Sequence, residues 1–307
     1  MPSFDPTRAP LGRLTRLGIV LDGSPPPARL AALARMCERA GIGAVWIADS
    51  PDGDLDALMV VGQVGADFEG AHLGLMVDPA RRSPSQLAVG LAQLAQSTRA
   101  SIEVSVLNGQ PSTADYAAAL SVELAVAPPR PRISAVAETA DAVGRLLATV
   151  DDVVLTAWHH LDLETAADEA RAAAVDAGRD PTSLGVAALL PVSIGRTGAE
   201  ASARADLDPR FAERGHPADI GIFGTLEECQ DRVIALAHAG ISDLRCMLPD
   251  VPDVHDVIAQ LTAITVGTTE VLRPGALRSP APPPPEGWGG RFPQPPGASV
   301  SDGSRRR

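Results

Sequence analysis

Short apolar runs alternate with stretches whose apolar residues recur every three to four positions, and this continues for most of the chain. Residues 17–22, 44–48, 72–77, 102–107, 133–137, 153–157, 184–194 and 244–248 read as eight strands. Between them, Leu30, Leu33, Ala34 and Cys37 mark one amphipathic helix, and Leu55, Leu58, Met59 and Gly62 a second. A third is faced by Leu87, Leu91 and Leu94 and opens on Ser83-Pro84-Ser85-Gln86, a capping box with proline at the first helical position. A short alanine-rich helix surrounds Tyr116 and Leu120, and further helices are expected over 140–148, 165–177, 225–239 and 254–264. Pro191 is expected to interrupt the seventh strand or mark its end, because proline has no N–H for a ladder.

Apolar strands between amphipathic helices indicate a parallel sheet covered on its faces, and eight such units favour a closed (β/α)₈ barrel of the TIM type over an open sheet. A weak internal repeat agrees. Ala40-Gly41-Ile42 and Ala239-Gly240-Ile241 each end a helix on a glycine and turn at once into a strand. From about Arg273 the chain turns proline- and glycine-rich, with Pro282–Pro285, Gly289-Gly290 and Pro295-Pro296. The expected organisation is an N-terminal extension over 1–16, the barrel over 17–272, and a disordered, partly polyproline tail over 273–307. A solvated extension is preferred to a ligand for an SH3-type domain.

Composition narrows the chemistry. The 307 residues are 45% hydrophobic but only 3% aromatic, so aliphatic side chains must pack the core. All the positive charge is arginine, which excludes a Schiff-base lysine, a Walker lysine and a lysine general base. A net charge of -12 argues against a nucleic-acid backbone or an anionic membrane surface as partner. Residues 1–16 carry no apolar run of the signal-peptide kind, and no apolar run is long enough to span a bilayer. Cys37, Cys229 and Cys246 are scattered and read as buried, reduced thiols. A cytoplasmic protein is expected.

In a barrel the functional side chains come from the C-terminal ends of the strands. Those ends carry Asp22, Asp49 with Ser50, Asp78, Asn108 with Gly109, Glu138 with Thr139, Trp158 with His159 and His160, Arg196, and Asp250. Asp49 competes with a role capping the next helix, for which Asp54 is better placed, and Asp78 before Pro79 reads equally as the start of a turn. His159 and His160 are adjacent and point apart in extended backbone, so no metal is expected. Phe223-Gly224-Thr225-Leu226-Glu227-Glu228 holds a T-x-x-E capping box, with helix N-terminal amides that also suit a phosphate.

These segments resemble, in order, the luciferase-like monooxygenase family. Gly43-x-Val45-Trp46-x-x-Asp49 is similar to its second strand, and Pro84-x-x-Leu87-Ala88 with Leu91 and Leu94 to its third helix. Gly224-Thr225-x-Glu227-Glu228 and Ala239-Gly240-x-x-Asp243-Leu244 resemble its closing segment. The resemblance spans roughly residues 17–265 and implies an oxidoreductase, of monooxygenase or hydride-transfer type, that acts on a small organic substrate. It implies FMN or a deazaflavin coenzyme across the barrel mouth. Asp49, Asn108 and Trp158 would then line the ring, with Ser50, Gly109, Glu138 and Thr139 beside it, and Gly224 and Thr225 would face the phosphate. Ser50 stands where the family often has histidine, Glu138 stands in its small-residue phosphate turn, and its insertion after strand four is largely missing between Asn108 and Arg132. No acid or base is therefore assigned. A degenerate, non-catalytic barrel with a binding or assembly role is the alternative, and a hydrolase using Asp49 and Asp78 a third reading. A homodimer is allowed, with no interface assigned.

Overall fold

The computed structural model describes residues 16–22, 25–49, 56–66, 68, 72–107, 112–126, 130–137, 139–156, 162–214, 216–251 and 253–271. Eight parallel strands close into a barrel: β1 (Arg16–Asp22), β2 (Ala44–Ala48), β3 (His72–Val77), β4 (Ser101–Val106), β5 (Arg132–Ala137), β6 (Asp152–Thr156), β7 (Gly185–Ile194) and β9 (Asp243–Met247). Each pairs with the next, β7 pairs with β9, and β9 returns to β1. The expected (β/α)₈ architecture is the one observed.

The helices that connect the strands are α1 (Pro27–Arg39), α2 (Ala57–Gly65), α3 (Pro84–Ser97), α4 (Thr113–Leu124), α5 (Ala140–Leu146), α6 (Leu163–Asp176), α10 (Leu226–His238) and α11 (Val254–Val271). Their ends follow from local chemistry. Ser83 and Gln86 form the capping box of α3, and Thr225 and Glu228 that of α10. Ala40-Gly41-Ile42 and Ala239-Gly240-Ile241 prove equivalent. Gly41 and Gly240 have φ of +78° and +86°, and the next residue's N–H reaches back to Cys37 O and Leu236 O at 3.0 Å in both. Only glycine takes that φ without a Cβ clash, so both turns end their helix and launch the strand.

Residues 195–224, which carry no clear periodicity, add three helices and a strand: α7 (Gly198–Asp206), α8 (Pro209–Arg214), α9 (Pro217–Ile220) and β8 (Ile222–Gly224). This annex corrects the reading of Pro191. β7 runs straight through it, pairing with β9 over Ala187–Pro191 and with β8 over Val192–Ile194. Pro191 falls where one ladder ends and the other begins, so its missing N–H leaves β7 unbroken.

Two buried layers result. Outward-facing residues such as Leu17, Ile19, Val45, Leu73, Val104 and Leu155 pack beneath the helices. Cys37, Cys229 and Cys246 are buried free thiols, and burial pushes the Cys37 and Cys229 thiols up to about 12. Inside the barrel, Trp46 lies across the middle, where a Cβ at Gly74 would come within 2.1 Å of its ring. No helix among the described residues is long and apolar enough to cross a membrane.

Candidate functional site

Alternation along the strands sorts the barrel interior into levels. At the N-terminal level stand Arg16, Glu103, Arg132, Asp152 and Asp243. Arg16 NH1 is 2.5 Å from Glu103 Oε1 and its NH2 is 2.7 Å from Asp243 Oδ2, while Arg132 NH2 is 2.6 Å from Asp152 Oδ1. They line a cavity of about 450 Å³ with His72, whose Nδ1 lies 2.9 Å from Glu103 Oε1. Burial alone would raise the Glu103 carboxyl, but hydrogen bonds from His72 and Arg16 and the charges of Arg16 and Arg245 hold it down to about 2.

Arg245 lies one level deeper and is fully buried. Its guanidinium sits 3.7 Å from the centroid of Trp46 and donates to Ser105 Oγ at 2.9 Å, Ser134 Oγ at 3.1 Å and Asp243 Oδ2 at 3.2 Å. Burial pulls its pKa below the ordinary arginine value, against the attraction of Asp243 and Glu103. This arrangement fixes strands β2, β4, β5 and β9 to one another. Its members point at the end of a barrel that ordinarily serves stability.

The C-terminal level is apolar. Val20, Met76, Val136, Val154, Leu189 and Met247 form one buried cluster with Trp46, and Ala205 of α7 and Phe211 of α8 join it from the annex. Arg204 holds the annex to Asp253 (2.9 and 2.5 Å), and Arg210 Nε and Asp250 N–H both donate to the buried Asp208 at 2.9 Å. One polar atom breaks the apolar floor. Thr156, the last residue of β6, is 3% exposed, and its Oγ1 has no hydrogen-bond partner among the described residues.

The expected site residues divide. Asp49 is buried at the end of β2, and its carboxylate accepts the Ala57 and Asp78 N–H groups at 3.1 Å and faces Arg82 NH2 at 3.2 Å. It therefore ties β3 and the first turn of α2 to β2, with Asp56 as the α2 N-cap; Asp54 lies outside the described residues. Asp78 begins a turn by accepting the Ala80 N–H at 2.9 Å, as its place before Pro79 implied. Thr139 is the N-cap of α5 and accepts the Ala142 N–H at 3.2 Å. Arg196 pairs with Glu200 and Asp250 with Arg29, both on the exterior. Ser50, Asn108, Gly109, Glu138, Trp158, His159 and His160 lie outside the described residues.

Gly224 and Thr225 do not fit a phosphate. Glu228 Oε2 accepts the Thr225 N–H at 2.8 Å and its hydroxyl at 3.0 Å, so a carboxylate already occupies both Thr225 donors. The start of α7 is closed in the same way, because Glu200 Oε2 accepts the Arg196 N–H at 3.0 Å. The floor is apolar, and its one hydroxyl at the end of β6 has no partner among the described residues. Thr156 escaped the sequence reading because a threonine ending an apolar strand is ordinary. Its signal is the parity it shares with Asp152 and Val154, which places it on the inner face. Among the described residues no group of three His, Cys, Asp or Glu could hold a metal.

No family model and no curated protein matches the chain. Solved structures do. The coenzyme F420-dependent tetrahydromethanopterin reductase of Methanopyrus kandleri superposes with a TM-score of 0.66 at 15% identity, covering 83% of this chain and 99% of that one. An F420-dependent secondary alcohol dehydrogenase, in complex with an F420–acetone adduct, gives 0.68 at 15% identity over 84% and 99%. A riboflavin lyase with modified FMN and riboflavin gives 0.64 at 14% identity over 83% and 92%. At these identities the likeness is one of fold alone: the chain shares the (β/α)₈ barrel of these structures.

Proposed function

We propose that this barrel is an oxidoreductase that binds a flavin or deazaflavin ring over the C-terminal floor and acts on a small organic molecule. The observation that carries the reading is the floor itself: an apolar surface closed by Val20, Met76, Val136, Leu189 and Met247, with the Thr156 hydroxyl left unsatisfied. The fold neighbours named for F420 and FMN support it. Such a ring supplies hydride or oxygen chemistry when bound, and the protein's share is to orient it and exclude water. Asn108, Gly109, Trp158, Ser50, Glu138 and Thr139 are the proposed surroundings of the ring. Asp49 acts behind them, by fixing the ends of β2 and β3. The phosphate is not assigned to Gly224 and Thr225, because Glu228 holds their donors. Titration of the purified full-length protein with riboflavin, FMN and coenzyme F420, followed by ligand fluorescence, tests the proposal. Saturable binding is expected, and its absence for all three rules the reading out.

A second reading, a non-catalytic barrel, draws on Glu228 and on the burial of Phe211 in the interior cluster. The same titrations separate the two.

A further inference from the structure

The Thr156 hydroxyl differs from the serine hydroxyls of the barrel interior. Ser105 and Ser134 accept from Arg245, and Ser134 also donates to Val104 O. Trp46 Nε1 is likewise without a partner among the described residues, but it lies against Gly18, where an added Cβ would come within 3.2 Å of it. Thr156 is at the C-terminal end of its strand, opposite Leu189 in the ladder, with Val154 beneath it on the same face. The residue is 3% exposed, so bulk solvent does not reach the hydroxyl. Strand geometry does not explain it either. Valine has the same branched shape and β preference and would leave no hydroxyl unpaired. A buried hydroxyl without a partner costs stability, so its retention calls for a use.

We infer that Thr156 orients the ligand in the mouth by hydrogen bonding to the polar edge of a planar heteroaromatic ring. A hydroxyl both donates and accepts, so it can meet an edge on which ring C=O and N–H groups alternate. On an apolar floor that single bond decides which way round the ring lies, because the remaining contacts are non-directional. The inference rests on the ring-binding reading and adds the group that orients the ring. Flavins and deazaflavins share this edge, so Thr156 contributes to recognising both and does not choose between them.

The test compares full-length wild type with Thr156→Val and Thr156→Ser, using riboflavin as a phosphate-free ring probe and thermal melting of the ligand-free proteins. Thr156→Val is expected to weaken riboflavin binding about tenfold while melting at or above the wild-type temperature, and Thr156→Ser to restore most of the affinity. Wild-type affinity in a folded Thr156→Val protein overturns the role of Thr156 and leaves the ring reading standing. A marked loss of melting temperature in Thr156→Val also overturns it, since the hydroxyl would then serve the fold. Failure of wild type to bind riboflavin overturns the ring reading itself.

Discussion

The N-terminal half of the barrel interior is charged and cross-bonded, whereas the C-terminal half, among the described residues, is apolar and holds a hydroxyl without a partner. In the first, Arg16 joins β1 to Glu103 of β4 and Asp243 of β9, and Arg245 joins β9 to Ser105 and Ser134. In the second, Val20, Met76, Val136, Val154, Leu189 and Met247 meet without a polar bond among them, and Thr156 waits at the rim. Both halves are buried on the same strands. The difference lies in how far each satisfies its own polar groups. A cross-bonded charged network specifies the closed ring, while an apolar floor leaves a polar contact for a ligand to complete.

This contrast can be broken from either side. Arg245→Ala should have the largest effect, about 3–5 kcal/mol off the unfolding free energy in denaturant, because it empties a fully buried position over Trp46 and takes one hydrogen-bond partner each from the buried Asp243, Ser105 and Ser134. Acid should act next, through Glu103. Its folded pKa of about 2 lies below the ordinary 4.5, so its contribution is whole above pH 4.5 and is lost as pH falls through 2. The full loss is on the order of 3 kcal/mol. Glu103→Gln should flatten the acid limb of a stability-versus-pH curve between those values; an unchanged limb would show that the network does not depend on this carboxylate. Gly74→Ala should cost about 1–3 kcal/mol, because the added methyl meets the Trp46 ring. Thr156→Val should be smallest and opposite in sign, a gain of about 1 kcal/mol in the ligand-free protein. A loss of stability at Thr156 would erase the distinction between the halves.

Most of the barrel was legible in the sequence, because its strands are short apolar runs and its helix ends carry strong local signals. The Ser83–Gln86 and Thr225–Glu228 boxes and the Ala-Gly-Ile turns needed no tertiary information. The annex was not legible. Helices of nine, six and four residues and a three-residue strand are too short for a period to show, and their composition is alanine, aspartate, arginine and proline. The interior network was hidden differently. Ser101–Val106, Arg132–Ala137 and Asp243–Met247 alternate polar and apolar residues, a pattern that in an open sheet puts the polar face in water. Here the polar face turns into the barrel and the apolar face lies under helices, and closure alone reverses the meaning of the pattern. Asp49 stood out in the sequence as a strand-end carboxylate, and the bonds it makes are those that fix strand and helix ends. The capping box at Thr225 was also plain, but the use of its glutamate against an anion could be seen only from the position of Glu228 Oε2.

Trp46 makes the interior of the barrel optically accessible. Its indole is fully buried, carries the Arg245 guanidinium on one face and has no hydrogen bond at Nε1. An indole so enclosed emits toward the blue and shifts to the red once water reaches it. With the other two tryptophans, Trp158 and Trp288, replaced by phenylalanine, its emission would report the opening of the barrel core from a single residue.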